Sequence, residues 1–371
     1  MRRHNLHKER IQHMTAVARL GHSVPLTGAE GVHGRAADKA VRLAVEQANA
    51  RGDLPCEIEL LSLDDKCEPE AGAYVANHLA QDPNVFGVVG PFNSTPAQAA
   101  APIYHDAGLV HICPAASNPE LSRQGWDTFF RTVPSDAVQG REAARCAVHV
   151  VGARRIAVLH DRSAFGQPLA EIFADAVQDY GAEIVLFEGI TRGCTEFPET
   201  VEKVAASAAD LIYFGLIEAE GSAMAHRLRE GGVTAPYLGA DGLKPSRYLE
   251  TPDADVVGPY YTSACTDITR AAAAADFRRA YAVRFPAVAD YTVYTAEAYD
   301  AAKTLIDALR RAGAPDRETV RREVAATQAY PGASGPISFT VDGDRANPII
   351  DFYVVKEGEL TFLGTTTDLT D

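Results

Sequence analysis

Two segments of the chain set a hydroxyl where an apolar run gives way to a helical one. In GPFNSTPAQ, Ser94 and Thr95 open the helical stretch; in CPAASNPEL, Ser117 and Asn118 precede Pro119, a favoured first helical residue. The start of a helix presents backbone N–H groups and a partial positive charge, so a hydroxyl beside it suits a carboxylate. Serine also caps helices where no ligand binds. One such corner favours capping; two at neighbouring strand ends leave the readings balanced. Asp241 ends the strand-like PYLGAD. An acid there can neutralise an ammonium or shape an Asp–Gly turn, and spacing alone favours the turn modestly. Phe165, in HDRSAFGQPL, is either ordinary packing or the wall of an apolar pocket. His33 stands at another corner, where a lone histidine is more often a surface or capping residue than a base.

Other chemistries find little support. The glycines of GAEGVHG (Gly28, Gly31, Gly34) stand three apart, which matches neither dinucleotide nor triphosphate loops. GxSxG and HExxH are missing, so no nucleophile–base pairing or zinc-protease motif stands out. Asp64 and Asp65 end a strand, but no further acidic cluster joins them, so a cap or solvated turn is favoured over a metal site. Six cysteines occur without a CxxC pair. Cys113 and Cys146 lie in apolar surroundings and read as small core residues. Cys56 and Cys67 flank one strand and are held too far apart to bond. No catalytic residue, cofactor or metal is expected.

These corners need elements to position them, and strand and helix alternate throughout. Strands are expected over 18–26, 57–65, 85–90 and 109–114, with helices over 31–52, 68–82 and 94–108 between and after them. In the first helix Ala37, Ala40, Val41, Ala44, Val45 and Ala48 form one apolar stripe. After FFRTVPSD the rhythm restarts: strands over 155–161, 183–190, 211–215 and 236–241, with helices including 136–152 and 165–181. Helical stretches come next over 269–285, 295–313 and 316–327, then strands with turns at Asp342–Gly343 and Glu357–Gly358. Short apolar strands alternating with amphipathic helices mean parallel sheets covered by helices, an α/β fold. Two such runs in 371 residues mean two doubly wound lobes.

The totals narrow the partners. The formal charge is -15, from 50 acidic and 35 basic residues, which argues against a nucleic-acid backbone. No run of 18 apolar residues is present, so no membrane span is expected. The basic start MRRHNLHKERIQHM has no apolar segment behind it, as a secretion signal requires, and residues 1–15 read as a disordered tail.

Taken in order, PLTGAEGVHG, LDDKCEPEAGAYVAN, GPFNSTPA, CPAASNPEL, FRTVPSDAVQG, VLHDRSAFGQPLA, YLGADG and AEAYDA resemble the Leu/Ile/Val-binding family of type 1 periplasmic solute-binding proteins. The resemblance spans about 16 to 364. It implies two Rossmann-like lobes joined by three crossovers near 134–136, 263–266 and 341–345, with the ligand in the interlobe cleft. Residues 16–134 plus 265–341 form the N-lobe and 135–264 plus 342–371 the C-lobe. It further implies that Ser94 and Ser117 hold a ligand carboxylate, that the Ala115 carbonyl and Asp241 take its ammonium, that Phe165 closes over it, and that His33 lines the side-chain pocket. A pocket position often aromatic in the family falls near Ile217 or Glu218. A disulfide that some relatives make from the position of Cys67 finds Asn93 opposite and is absent.

The implied function is capture of a small amino acid, branched-chain or otherwise aliphatic or small and polar, for an ABC transporter permease, outside the cytoplasm. The alternative is a cytoplasmic sensor of the same fold, of the amide-sensing kind, favoured by the lack of a secretion signal. A repressor of this fold needs a helix-turn-helix headpiece, for which fifteen residues are too few.

Overall fold

The computed structural model describes residues 17–243, 259–286, 293–356 and 359–368. The expected tail 1–15 and the Glu357–Gly358 turn lie outside the described residues. The strands are β1 (Val17–Val24), β2 (Glu57–Asp64), β3 (Val85–Val89), β4 (His111–Cys113), β5 (Phe129–Arg131), β6 (Arg155–His160), β7 (Glu183–Gly189), β8 (Leu211–Gly215), β9 (Tyr237–Gly239), β10 (Tyr260–Ser263), β11 (Tyr330–Gly332), β12 (Gly335–Ile337), β13 (Asp351–Lys356) and β14 (Glu359–Thr365). The helices are α1 (Gly31–Arg51), α2 (Pro69–Gln81), α3 (Ser94–Asp106), α4 (Glu120–Arg123), α5 (Asp136–Arg145), α6 (Gly166–Asp179), α7 (Pro198–Ser207), α8 (Glu218–Glu230), α9 (Ala275–Arg284), α10 (Thr295–Ala312) and α11 (Arg317–Ala325).

The chain divides into two compact units. The first holds residues up to Ala116, then Glu120–Val133 and Thr266–Asn347. Its five-stranded parallel sheet has the order β2-β1-β3-β4-β5. This is a doubly wound order whose switch point lies between β1 and β3. Every position of β3 is buried, as the apolar run VFGVV requires of a central strand covered on both faces. The alanine stripe of α1 is buried along its length. Leu305 of α10 lies over β3 at Gly87, where a Cβ would stand 2.8 Å from its Cδ2. The missing side chain lets that helix settle onto the sheet. Each fully buried Leu or Val contributes about 1.5–3 kcal/mol.

The second unit holds Ser117–Pro119, Pro134–Cys265 and Pro348–Asp371. Its seven-stranded sheet runs β14-β13-β10-β9-β8-β6-β7. β7-β6-β8-β9-β10 repeats the order of the first unit, again parallel, and β13 and β14 add antiparallel at the β10 edge. Its core includes Leu159, Ile212, Phe214, Met224, Leu228 and Tyr237.

Two details differ from the expected boundaries, each for a local reason. Residues 342–347 stay with the first unit, because Arg131 N–H donates to Gly343 O at 3.0 Å, Arg131 Nε to Asp344 at 2.7 Å and Arg345 Nη1 to Thr132 O at 2.8 Å. Ser117–Pro119 leave the first unit for the second: Asp136 N–H donates to Ser117 O at 2.9 Å and Asn118 Nδ2 to Ala164 O at 2.5 Å. The expected helix 136–152 is α5 continued by a π-helical turn, Cys146–Val150.

On the first unit's side, the three passing segments share one anchor at the start of α10. Thr132 Oγ1 donates to Glu297 O at 3.0 Å, Thr266 N–H to Glu297 Oε1 at 2.8 Å, and Arg345 to Thr132 O.

Candidate functional site

The first unit gathers His33, Ser94 and Ala115 at one edge of its sheet. β1 and β3 pair in parallel, with His22 opposite Val89, so the loops leaving the two strands emerge on the same side. After β1 the chain turns into α1, whose first turn carries half-buried His33. The glycines here serve close approach: a Cβ at Gly34 would overlap Pro25 O, and one at Gly31 would crowd Leu26 O at 3.1 Å. Helix α1 therefore abuts the end of β1. After β3, Gly90 has φ +102° and lies against Ser23 O, where a side chain would not fit. Asn93 then leads into α3 without a side-chain cap, and Ser94, buried, is the first helical residue. The first helical bond runs from Ala97 N–H to Asn93 O, so the N–H groups at the very start of α3 lie outside the helix's own ladder. Ala115 comes after β4, the next strand along.

Asp64 and Asp65 fill structural roles. Asp64 accepts from Leu26 N–H at 2.8 Å, Lys66 N–H at 3.0 Å and Thr27 Oγ1 at 2.6 Å. Asp65, fully buried, accepts from Ser23 Oγ at 2.9 Å and Cys67 N–H at 3.0 Å, and desolvation pushes its carboxyl up to about 6. No group of three or more His, Cys, Asp or Glu side chains suited to a metal is found among the described residues. No disulfide joins any of the six cysteines; Cys113 and Cys146 are fully buried, as their apolar surroundings suggested.

The second unit gathers Ser117, Phe165 and Asp241. The corner after β6 is tight because Gly166 lies against Gly215 O at the end of β8. Asp161 Oδ1 fixes it by accepting from Ser163 N–H at 3.0 Å and Ser163 Oγ at 2.6 Å. Phe165 is half-buried at the mouth of α6. Its ring meets the end of β9, where a Cβ on Gly242 would stand 2.9 Å from Cε1. Asp241, beside that glycine, is 5% exposed in a single 3-10 turn, Asp241–Leu243. Ser117, 1% exposed, joins through the Asn118–Ala164 hydrogen bond. Ile217 is half-buried before α8; the Glu218 side chain lies outside the described residues.

Sequence reasoning passed over two residues here. Asp136 opens α5 and is fully buried. Tyr213 of β8 is fully buried, stacked on Phe173 with centroids 3.7 Å apart, and its hydroxyl has no hydrogen-bond partner among the described residues. The phenol is held well above its ordinary pKa by burial first, then by the negative charges of Asp136 and Asp241. Both carboxylates thus lie within Coulomb reach of one buried hydroxyl. A buried group of acids is costly unless a cation or hydrogen bonds satisfy it. The signal in Ser135–Asp136 was obscured because that pair reads as a helix start, and Ser135 does cap α5, accepting from Ala137 N–H.

Comparison with known proteins agrees with this architecture. Residues 17–359 match the periplasmic binding protein family. An "Amino acid binding protein" of Pseudomonas aeruginosa is 34% identical over 67% of this chain and 66% of its own length. "Leu/Ile/Val-binding protein homolog 3" of Brucella melitensis is 29% identical over 93% of each chain. Among solved structures, a leucine binding protein from Thermotoga maritima superposes with TM-score 0.84 at 24% identity, covering 95% of this chain and all of that one. A branched-chain amino acid transporter substrate binding protein from Streptococcus pneumoniae, in complex with isoleucine, gives TM-score 0.80 at 24% identity, covering 94% and 99%. Among the described residues no helix is long and apolar enough to cross a membrane. With the repeated doubly wound sheets and a match over most of its length, the chain belongs to the periplasmic binding protein family.

Proposed function

We propose that this protein captures a small free α-amino acid, aliphatic or small and polar, and presents it to an ABC transporter permease outside the cytoplasm. The observation that carries the reading is Asp241, a carboxylate 5% exposed in the turn that follows β9, in the unit that also buries Asp136. A buried acid with an ammonium partner satisfies its charge; a sugar or an aromatic acid offers it none. The start of α3 in the first unit is suited to the other end of the same ligand. In this reading the Ser94 hydroxyl and Ser117 hold the ligand carboxylate, and the Ala115 carbonyl and Asp241 hold the ammonium. Phe165 covers the aliphatic part and His33 lines the side-chain pocket. The names of the relatives, two of them Leu/Ile/Val-binding or leucine-binding, support the same ligand class. No chemical step enters this reading.

The test is calorimetric titration of the full chain with the common amino acids, short aliphatic amides, benzoate and a sugar panel. Saturable binding of an amino acid that is lost on removing either its amino or its carboxylate group is the expected result. Binding confined to sugars, or to acids lacking an amino group, overturns it.

A further inference from the structure

Away from the half-sites, the first unit has a shallow, open recess between α1 and α10. Small residues on α1, Ala44 and Ala48, leave it open, and Gln47, Arg51, Lys303, Arg310 and Tyr330 line it. The Lys303 ammonium stands 5.3 Å from the Tyr299 ring centroid and 5.9 Å from that of Tyr330. Partial burial, and the positive charges of Arg51 and Arg310, lower its pKa.

The acids nearby are mostly committed elsewhere. Asp53 and Asp307 pair with Arg310 at 3.0 and 2.9 Å, and Asp307 also takes Arg311 at 3.1 Å. Asp300, fully buried, accepts from Ala333 N–H and Ser334 N–H, each at 2.7 Å, and from Ser334 Oγ at 2.6 Å. Among the described residues neither Lys303 nor Arg51 forms an ion pair. Gln47 accepts from the Tyr299 hydroxyl at 2.6 Å, which leaves its amide nitrogen as a donor. The Tyr330 phenol, pushed up to about 12, keeps its proton and can donate as well.

Cations brought together repel one another and lose hydration, and although Asp300 and Asp307 offset part of this at Lys303, neither of them forms an ion pair with it. An oxyanion offsets both costs, and a guanidinium, an ammonium and a phenol together match its several acceptor lone pairs. The net charge of -15 repels anions at long range, so any anion must be held by such a local cluster. We propose that the recess lined by Arg51, Lys303 and Tyr330 is a second binding site, distinct from the amino-acid half-sites, for a small oxyanion of the carboxylate or phosphate class. It occupies the first unit alone and does not depend on the proposed amino-acid function.

The test titrates inorganic phosphate and, separately, succinate into the full chain by calorimetry at fixed ionic strength. Wild type, Lys303→Met and Arg51→Ala are compared, with Arg141→Ala on the exposed surface of the second unit as control. At least one oxyanion should saturate wild type and the control alike, and bind at least ten-fold more weakly to both recess variants. Far-UV circular dichroism and a single cooperative thermal transition, measured on the same samples, should match wild type and report that the variants are folded. Saturation by phosphate alone or succinate alone assigns the ligand, and saturation by both assigns a general oxyanion site. The proposal falls if neither titration saturates, or if either recess variant binds as wild type does.

Discussion

Asp241→Asn separates binding from folding. The substitution keeps shape and one acceptor oxygen but removes a charge that is 5% exposed. If that charge meets a ligand ammonium, its loss should cost roughly 2–5 kcal/mol of binding, the range for breaking one side of a buried charged pair. That weakens affinity by about thirty-fold to several thousand-fold. The fold should survive the change, since a strand-end acid carries little packing, and scanning calorimetry should still show one cooperative transition. Titration calorimetry and scanning calorimetry read the two effects, and an analogue lacking the amino group completes a double-mutant cycle. The analogue should bind the variant and wild type nearly equally. An affinity within two-fold of wild type, or an equal loss for the analogue, would return Asp241 to a turn residue and refute the argument.

Three further perturbations act on particular contacts. Tyr213→Phe removes a buried hydroxyl that has no hydrogen-bond partner among the described residues, so stability should stay within about 1 kcal/mol of wild type or improve, as read by urea denaturation. Gly34→Ala drives a methyl into Pro25 O and should destabilise by about 1–3 kcal/mol, with the melting temperature falling accordingly. Asp65 carries a pH signature: its folded carboxyl is raised to about 6 from an ordinary 3.8, so the folded state holds the proton more tightly than the unfolded state. Its contribution is therefore most favourable below pH 4 and is lost as pH rises toward 6. Asp65→Asn should gain up to about 3 kcal/mol over wild type above pH 7 and nothing near pH 3. Denaturation curves across that range whose difference does not change with pH would contradict this.

The fold was readable because its signals are local. VFGVV is apolar at every position and had to be a covered strand; the α1 stripe recurs at helical steps and ends at Gly52, which takes φ +66°. β5 went unread as a strand because its third residue, Arg131, is charged yet fully buried, which no apolar pattern announces. The half-sites were less legible. Ser94 and Asp241 stand out as strand-end residues, whereas Asp136 and Tyr213 gain their interest only from full burial and from charges brought near by strands distant in sequence. The placement of Ser117 with the second unit depends on two hydrogen bonds, to residues 136 and 164, that no local pattern announces.

The route of the chain has a consequence in time. The first unit's sheet is complete once Arg131 has been made, yet α10, whose Leu305 covers β3 at Gly87, is encoded far downstream. Synthesis at about 5–20 residues per second leaves that sheet face without its helix for on the order of ten seconds or more. Throughout that interval the nascent chain carries an apolar surface wanting a cover. The second unit waits as well, for β13 and β14, which pair onto β10 and bring Tyr353 and Val355 into its core. A chain truncated before Thr295 should therefore leave β3 of the first unit open to hydrogen exchange and the chain prone to aggregate.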